Sequence, residues 1–197
     1  MSEDTGISND DFTDEDEFDS LFGGQPLPAL FDKTHDVGTS RTGIITEPPK
    51  PKQSRFYAAG GKGDLKYWGD DNKPTSEARD RDGKPRKPVL DEVFVLQTEY
   101  RLTKAQLDKR DMDEDPGLRG VFAGGDQLRA IKTAIRKARV KNRAALVGMR
   151  LTLTRTGQKQ VGDYEGWTWA AELTPTTEAE RHKAGVEPAN PFADADA

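Results

Sequence analysis

The chain has 197 residues, 33% of them charged and only 33% hydrophobic, with a net charge of -5 and no cysteine. That balance leaves too little apolar material for a core throughout, so the core must be concentrated in the middle of the chain. The absence of cysteine excludes a disulfide framework, a thiolate metal site and a cysteine nucleophile, and the distant pair His35 and His182 falls short of a zinc site, which needs several convergent ligands.

Charge divides the chain. Residues 1–32 hold ten acids and no Lys or Arg, and residues 184–197 hold three acids and no base, so residues 33–183 carry a net charge of +8. A basic body suits an anionic partner, nucleic acid before others, while acidic ends can shield that surface or recruit proteins. The alternative is that the charges serve solubility alone. No apolar run approaches the ~18 residues of a membrane span, and the acidic start is the reverse of a signal peptide. The expected location is therefore the cytoplasm.

Residues 1–32 read as a disordered acidic tail, because too little of it is apolar to fold alone. Within it Phe12, Phe18, Leu21 and Phe22 sit among acids ahead of Gly23 and Gly24. That arrangement suits a short motif that orders on a protein partner; a plain solubilising tail is the other reading.

The body is expected over residues 33–174. Residues Val37 to Thr46 are β-branched or glycine and stop at Pro48-Pro49, a first strand. Residues Ser54 to Ala59 and Leu65 to Trp68, joined by a glycine-rich link, suggest a hairpin. Asp70 to Pro88 has almost nothing to bury and reads as a flexible loop. Glu92 to Tyr100 is apolar on both alternation sets, at Val93, Phe94, Val95 and Leu96, and belongs at the centre of the fold. Leu102 to Pro116 is a charged loop with a helical turn, and Leu118 to Ala123 a short apolar segment.

Asp126 is placed to cap a helix in which Leu128, Ile131, Ile135 and Ala138 form the docking face. Arg129, Lys132, Arg136 and Arg139 line a neighbouring stripe, read first as a solvated edge and second as a phosphate contact. Met149, Leu151 and Leu153 then alternate with polar residues, Gly157 to Gly162 turns the chain, and Tyr164 to Leu173 returns with Trp167, Trp169, Ala171 and Leu173 in phase. Residues 175–197 read as a flexible C-terminal tail with one short helix from Glu178 to Ala184.

The pattern predicts a mainly β fold with one inserted helix: an OB-like small barrel or a curved antiparallel sheet, since short strands need closure to avoid bare edges. A curved face of this kind binds single strands by stacking bases on aromatic rings while basic side chains follow the phosphates. The candidates for that role are Arg55, Tyr57, Lys66, Trp68, Tyr100, Arg101, Arg150 and Arg155. Each aromatic has a core alternative, strongest for Trp167 and Trp169. No phosphate-loop, nucleophile-elbow or HExxH pattern occurs, and the acidic cluster Asp111 to Asp115 lacks calcium-loop spacing, so neither catalysis nor a cofactor is expected.

Three segments carry a resemblance: Lys87 to Arg101 (KPVLDEVFVLQTEYR), Gly124 to Ala138 (GGDQLRAIKTAIRKA) and Val147 to Gly157 (VGMRLTLTRTG). In this order they resemble replication-module proteins of actinobacterial bacteriophages, generally taken as single-stranded DNA-binding proteins with an OB-like fold. The resemblance spans roughly residues 34 to 174. It implies sequence-tolerant binding of single-stranded DNA in phage replication or recombination, within the host cytoplasm, with replication proteins as tail partners and homo-oligomers as an option. One departure stands out: bacterial single-stranded DNA-binding proteins end in Pro-Phe, whereas five residues follow Pro191-Phe192 here. The competing functions are an adaptor that assembles through the β-domain without nucleic acid, and an inhibitor whose acidic tail imitates phosphates.

Overall fold

The computed structural model describes residues 27–32, 35–58, 61–161 and 164–186. The strands, in chain order, are β1 (Ser40–Ile45), β2 (Lys50–Gln53), β3 (Arg55–Ala58), β4 (Gly61–Leu65), β5 (Tyr67–Trp68), β6 (Pro74–Thr75), β7 (Leu90–Gln97), β8 (Leu118–Ala123), β9 (Arg150–Val161) and β10 (Tyr164–Thr174). Three α-helices accompany them: α1 (Lys104–Asp108), α2 (Gly125–Lys137) and α3 (Glu178–Lys183).

The two-sided apolar run becomes the central strand. β7 pairs with β1 and β2 on one edge and with β8 on the other, and β1 passes the ladder on to β9 and β10. β1 and β2 act as one interrupted strand: Ile44 and Ile45 face Gln97 and Leu96, and Lys50 to Gln53 face Val93 to Leu90. Pro48 and Pro49 lie in the break, where a residue without an N–H cannot extend a ladder. β1 then swings from β7 to β9, pairing Ser40 to Ile44 with Thr154 to Arg150. Gly43 permits this crossing, because a Cβ there would lie 2.8 Å from Leu96 Cβ and 2.9 Å from Thr98 Cγ2.

One face of this curved sheet holds the core. Ile45, Phe94, Leu96, Val121, Ala123, Leu151 and Leu153 pack together, and Ile131 and Ala134 of α2 close over them. Fully burying a side chain of this size contributes about 1.5–3 kcal/mol, so these positions dominate the stability of the fold. The helix begins earlier than Asp126: Gly124 occupies the N-cap, and Asp126, in the first turn, bonds Arg129 instead of capping. A Cβ at Gly124 would lie 2.3 Å from Asp91 Oδ1, so a larger residue there must push that carboxylate aside.

Among the described residues the fold is thus mainly antiparallel β with three α-helices, of which α2 alone exceeds two turns, and it contains no closed barrel, since β8 and β10 do not pair. Residues 27–32 and 35–36 bridge those two edges. Ala29 forms a parallel bridge with Gly120 of β8, and Phe31 packs edge-on against Trp169 of β10 with ring centroids 4.9 Å apart. Leu27 and Leu30 are buried. The body therefore starts by Leu27, inside the stretch that composition assigns to the acidic tail. Composition misses it because two leucines and a phenylalanine anchor a segment whose hydrogen-bond partners lie far along the chain. The C-terminal boundary shifts likewise: α3 starts from a Thr177 capping box and Val186 is buried, so residues 175–186 belong to the body.

The stretch expected to be a floppy loop is ordered by polar contacts instead. β3 pairs with β4 and β5 with β6, Tyr67 bridges Pro88, and Arg86 ties Asp70 and Glu77 at 2.9 and 3.2 Å. Residues 54–58 and 61–89 form an arm continuing the end of the sheet where β7 begins. The β9–β10 hairpin is also longer than its turn residues suggest, continuing past Gly157 with a register shift where Thr168 faces Gly157 and Trp169 faces Arg155.

Candidate nucleic-acid interface

The eight residues selected from the sequence do not share one face. Arg155 is buried, 4% exposed, and holds the bridging segment rather than a ligand. Its guanidinium donates to the carbonyls of His35 and Asp32 and lies over the rings of Trp167 (4.2 Å), Phe31 (5.2 Å) and Trp169 (5.6 Å). Burial pushes its pKa down, and Asp32 and Asp36 partly restore it. Trp167 and Trp169 are accordingly part of this packed cluster.

Arg150, Tyr100 and Arg101 meet in a cleft of about 740 Å³ between the end of β7 and α3. Its charges are largely settled internally. Arg150 is paired with Glu180, Lys183 with Glu99 at 3.1 Å, and Arg101 donates to the Thr98 carbonyl at 2.6 Å. Hydrogen bonds from the Thr177 backbone and from Arg150 hold the Glu180 carboxyl below its usual range. Tyr100 is half-buried beneath the Arg41 guanidinium, 4.1 Å from its ring centroid.

Arg55, Lys66 and Trp68 lie on the arm, at the opposite end of β7. Across its eight residues, at about 3.3 Å each, that is on the order of 25 Å from Tyr100. Arg55 donates to the Gly63 carbonyl. Tyr57 faces Lys62 in the β3–β4 register; its side chain lies outside the described residues, as do Phe12, Phe18, Leu21 and Phe22 altogether.

A different grouping emerges from the register. Residues directly opposite on antiparallel strands project from the same face. Lys50 faces Val93, Val93 faces Phe122, and Lys52 faces Asp91, so these side chains share the face of β7 turned away from the core. Tyr67 opposite Pro88 continues the alternation into the arm and places Lys66, Trp68 and Lys87 in the same phase. Lys66 is close enough to Asp91 to oppose, with a Ser54 hydrogen bond, the rise that burial imposes on that carboxyl. Trp68 and Phe122 are 46% and 42% exposed, among the largest apolar surfaces left in solvent, and Lys52 Nζ lies 5.8 Å from the Phe122 ring.

The stripe therefore runs Phe122, Lys50, Lys52, Lys66, Trp68, Lys87, with its two rings about 20 Å apart by strand rise. Sequence reasoning found Lys66 and Trp68 and missed the rest. Leu118 to Ala123 is apolar in both phases, so nothing local distinguishes Phe122 from the buried Val121. Lys50 and Lys52 flank a proline and do not read as a strand.

The acidic cluster is also resolved. Asp115, 3% exposed, accepts from Arg119 (Nη1 at 2.9 Å) and from the amides of Leu102 and Gly117. Those bonds hold its carboxyl far below the ordinary range and fix the loop between β7 and β8. No helix among the described residues is long and apolar enough to cross a membrane. Comparison with known proteins finds no matching family model, no matching curated protein and no matching solved structure.

Proposed function

We propose that this chain is a non-catalytic single-stranded DNA-binding protein of OB-like design, serving phage DNA replication or recombination, with the Phe122–Trp68 stripe as its contact surface. The observation that carries the reading is the stripe itself: two exposed rings in phase with four lysines on one face. Aromatic faces accept any base at about 1–3 kcal/mol each, and the ammonium groups follow the phosphates. Between residues 27 and 186 the chain has 30 bases and 23 acids, so the charged background favours the same ligand.

Strand order supports the OB-like part. With β1 and β2 counted as one strand, the path is β10-β9-β1/β2-β7-β8, five strands with α2 inserted between β8 and β9. OB folds are five-stranded, partly open Greek-key barrels that bind oligonucleotides on strands two and three and on the loops after strands one and four. Here those strands are β7 and β8, and the loop after the first is the arm carrying Lys66 and Trp68.

The test is a titration of the full chain with fluorescent oligo(dT) at low and moderate salt. Four phosphate contacts predict a log–log salt slope of about -2.8, at roughly 0.7 per contact. Absence of binding at low salt would remove this reading and leave the adaptor function in its place.

A further inference from the structure

From the charge on α2 we infer a second nucleic-acid site, separate from the stripe, that lets one chain hold two strands at once; the inference rests on the function proposed above. Between residues 127 and 162 the sequence has ten bases and no acid. Six of them, Arg129, Lys132, Arg136, Lys137, Arg139 and Lys141, are exposed along α2 and just beyond it. Arg129 has a carboxylate partner, Asp126 at 2.8 Å. Among the described residues the other five have none, and the one side-chain bond Arg136 makes is to the Thr133 hydroxyl at 3.3 Å.

Part of this charge works against the helix that carries it. Lys132 and Arg136 are four apart and Arg129 and Lys132 three apart, spacings at which like charges repel, while Arg136 and Lys137 in the last turn favour the helix dipole. A surface helix kept soluble by charge alone gains from acids interleaved on such a face, and this one has Asp126 at its start and no other. The row suits a polyanion. Lys132 to Arg136 advances about 6 Å along the axis, close to one nucleotide step of an extended strand. No aromatic residue lies in the helix, so the site would grip the phosphate backbone and leave the bases free.

Position makes it a second site. Ile131 and Ala134 turn inward to the core they share with Phe94 and Leu96 of β7, α2 lies mainly over β10, and the stripe is on the outer face of β7. A helix diameter of about 10–12 Å plus a packing distance of ~10 Å puts the two charged surfaces on the order of 20 Å apart. An oligonucleotide of about four nucleotides is too short to sit on both.

Native mass spectrometry of the full chain with an oligo(dT) of about four nucleotides, the lower end of the site size of one such domain, tests this. The parent should bind two oligonucleotides per chain. The triple variant Lys132→Ala, Arg136→Ala, Arg139→Ala, which alters only exposed positions and at 132 and 136 places a strong helix former in α2, should bind one. Its remaining site should keep the parent's affinity within about twofold at ~0.15 M salt, where charges beyond about 8 Å are screened. The double variant Lys52→Ala, Trp68→Ala should also bind one, now at α2. If the triple variant keeps both oligonucleotides, or if the parent binds only one and the triple variant leaves it untouched, the second site does not exist. If the double variant matches the parent while the triple variant loses all binding, the stripe reading fails and α2 is a sole site, which overturns the two-strand inference. If the parent binds one oligonucleotide and a peptide of residues 9–22 binds the parent but not the triple variant, α2 is an acidic-peptide surface instead.

Discussion

Replacing Arg155 with Ala separates a structural arginine from a DNA-binding one. In the folded chain its guanidinium serves two main-chain carbonyls, those of Asp32 and His35, and three rings. Truncation leaves those carbonyls without their donor, at about 1–3 kcal/mol for each that stays buried. It also removes cation–π contacts worth about 0.5–1 kcal/mol each and opens a void between Phe31 and Trp169. These effects overlap, so a loss of roughly 3–5 kcal/mol is expected. At about 2–4 °C per kcal/mol for a domain of this size, the melting temperature should fall by roughly 6–20 °C. Circular dichroism melts read this directly, and oligo(dT) binding measured well below the new melting point should stay near the parent's. A variant that melts with the parent but loses DNA binding would return Arg155 to the contact surface and refute the packing argument. Arg155→Lys should fall between, since an ammonium cannot span both carbonyls and lie flat on the rings.

Asp115→Asn breaks a buried ion pair and should cost about 3–5 kcal/mol in a urea melt. Because the Asp115 pKa is lowered on folding, the pair's contribution is complete above the unfolded value of about 3.9 and is lost as pH falls toward the folded one. The parent should therefore lose stability more steeply than the variant as pH falls below about 4; parallel curves would show that the pair is not the acid-sensitive element. Trp68→Ala should weaken oligo(dT) binding by roughly 1–3 kcal/mol with an unchanged salt slope, whereas Lys52→Ala should flatten the slope by about 0.7. Equal effects on both quantities would dissolve the division of labour along the stripe. Leu30→Ala should destabilise by about 2–5 kcal/mol, as expected of a core residue and not of a tail; a melt unchanged from the parent would return residues 27–32 to the tail.

Local periodicity was enough to read the elements with the strongest patterns. The two-sided apolar run of β7, the Ile131-centred face of α2 and the alternation of Leu151 and Leu153 in β9 are properties of neighbouring residues, and burial follows from them. The basic body between acidic ends is likewise a matter of counting. Which charged and aromatic side chains meet solvent is not local. Arg155 and Lys52 are both cations within strands; a bridge from Asp32 and His35 buries the first, and pairing with β7 puts the second on the outer face of the sheet. Asp115 is one of several acids in a polar run until Arg119, four residues on, turns to meet it inside a loop closed by Leu102 and Gly117. Phe122 and Val121 are adjacent and alike in hydrophobicity, yet pairing Phe122 with Val93 puts one ring in solvent, because a strand's faces alternate and only its partner sets which face is covered. Composition and pattern thus determined the central strands and the long helix. Register, set by contacts between residues far apart in the chain, decided which of their side chains are left to bind.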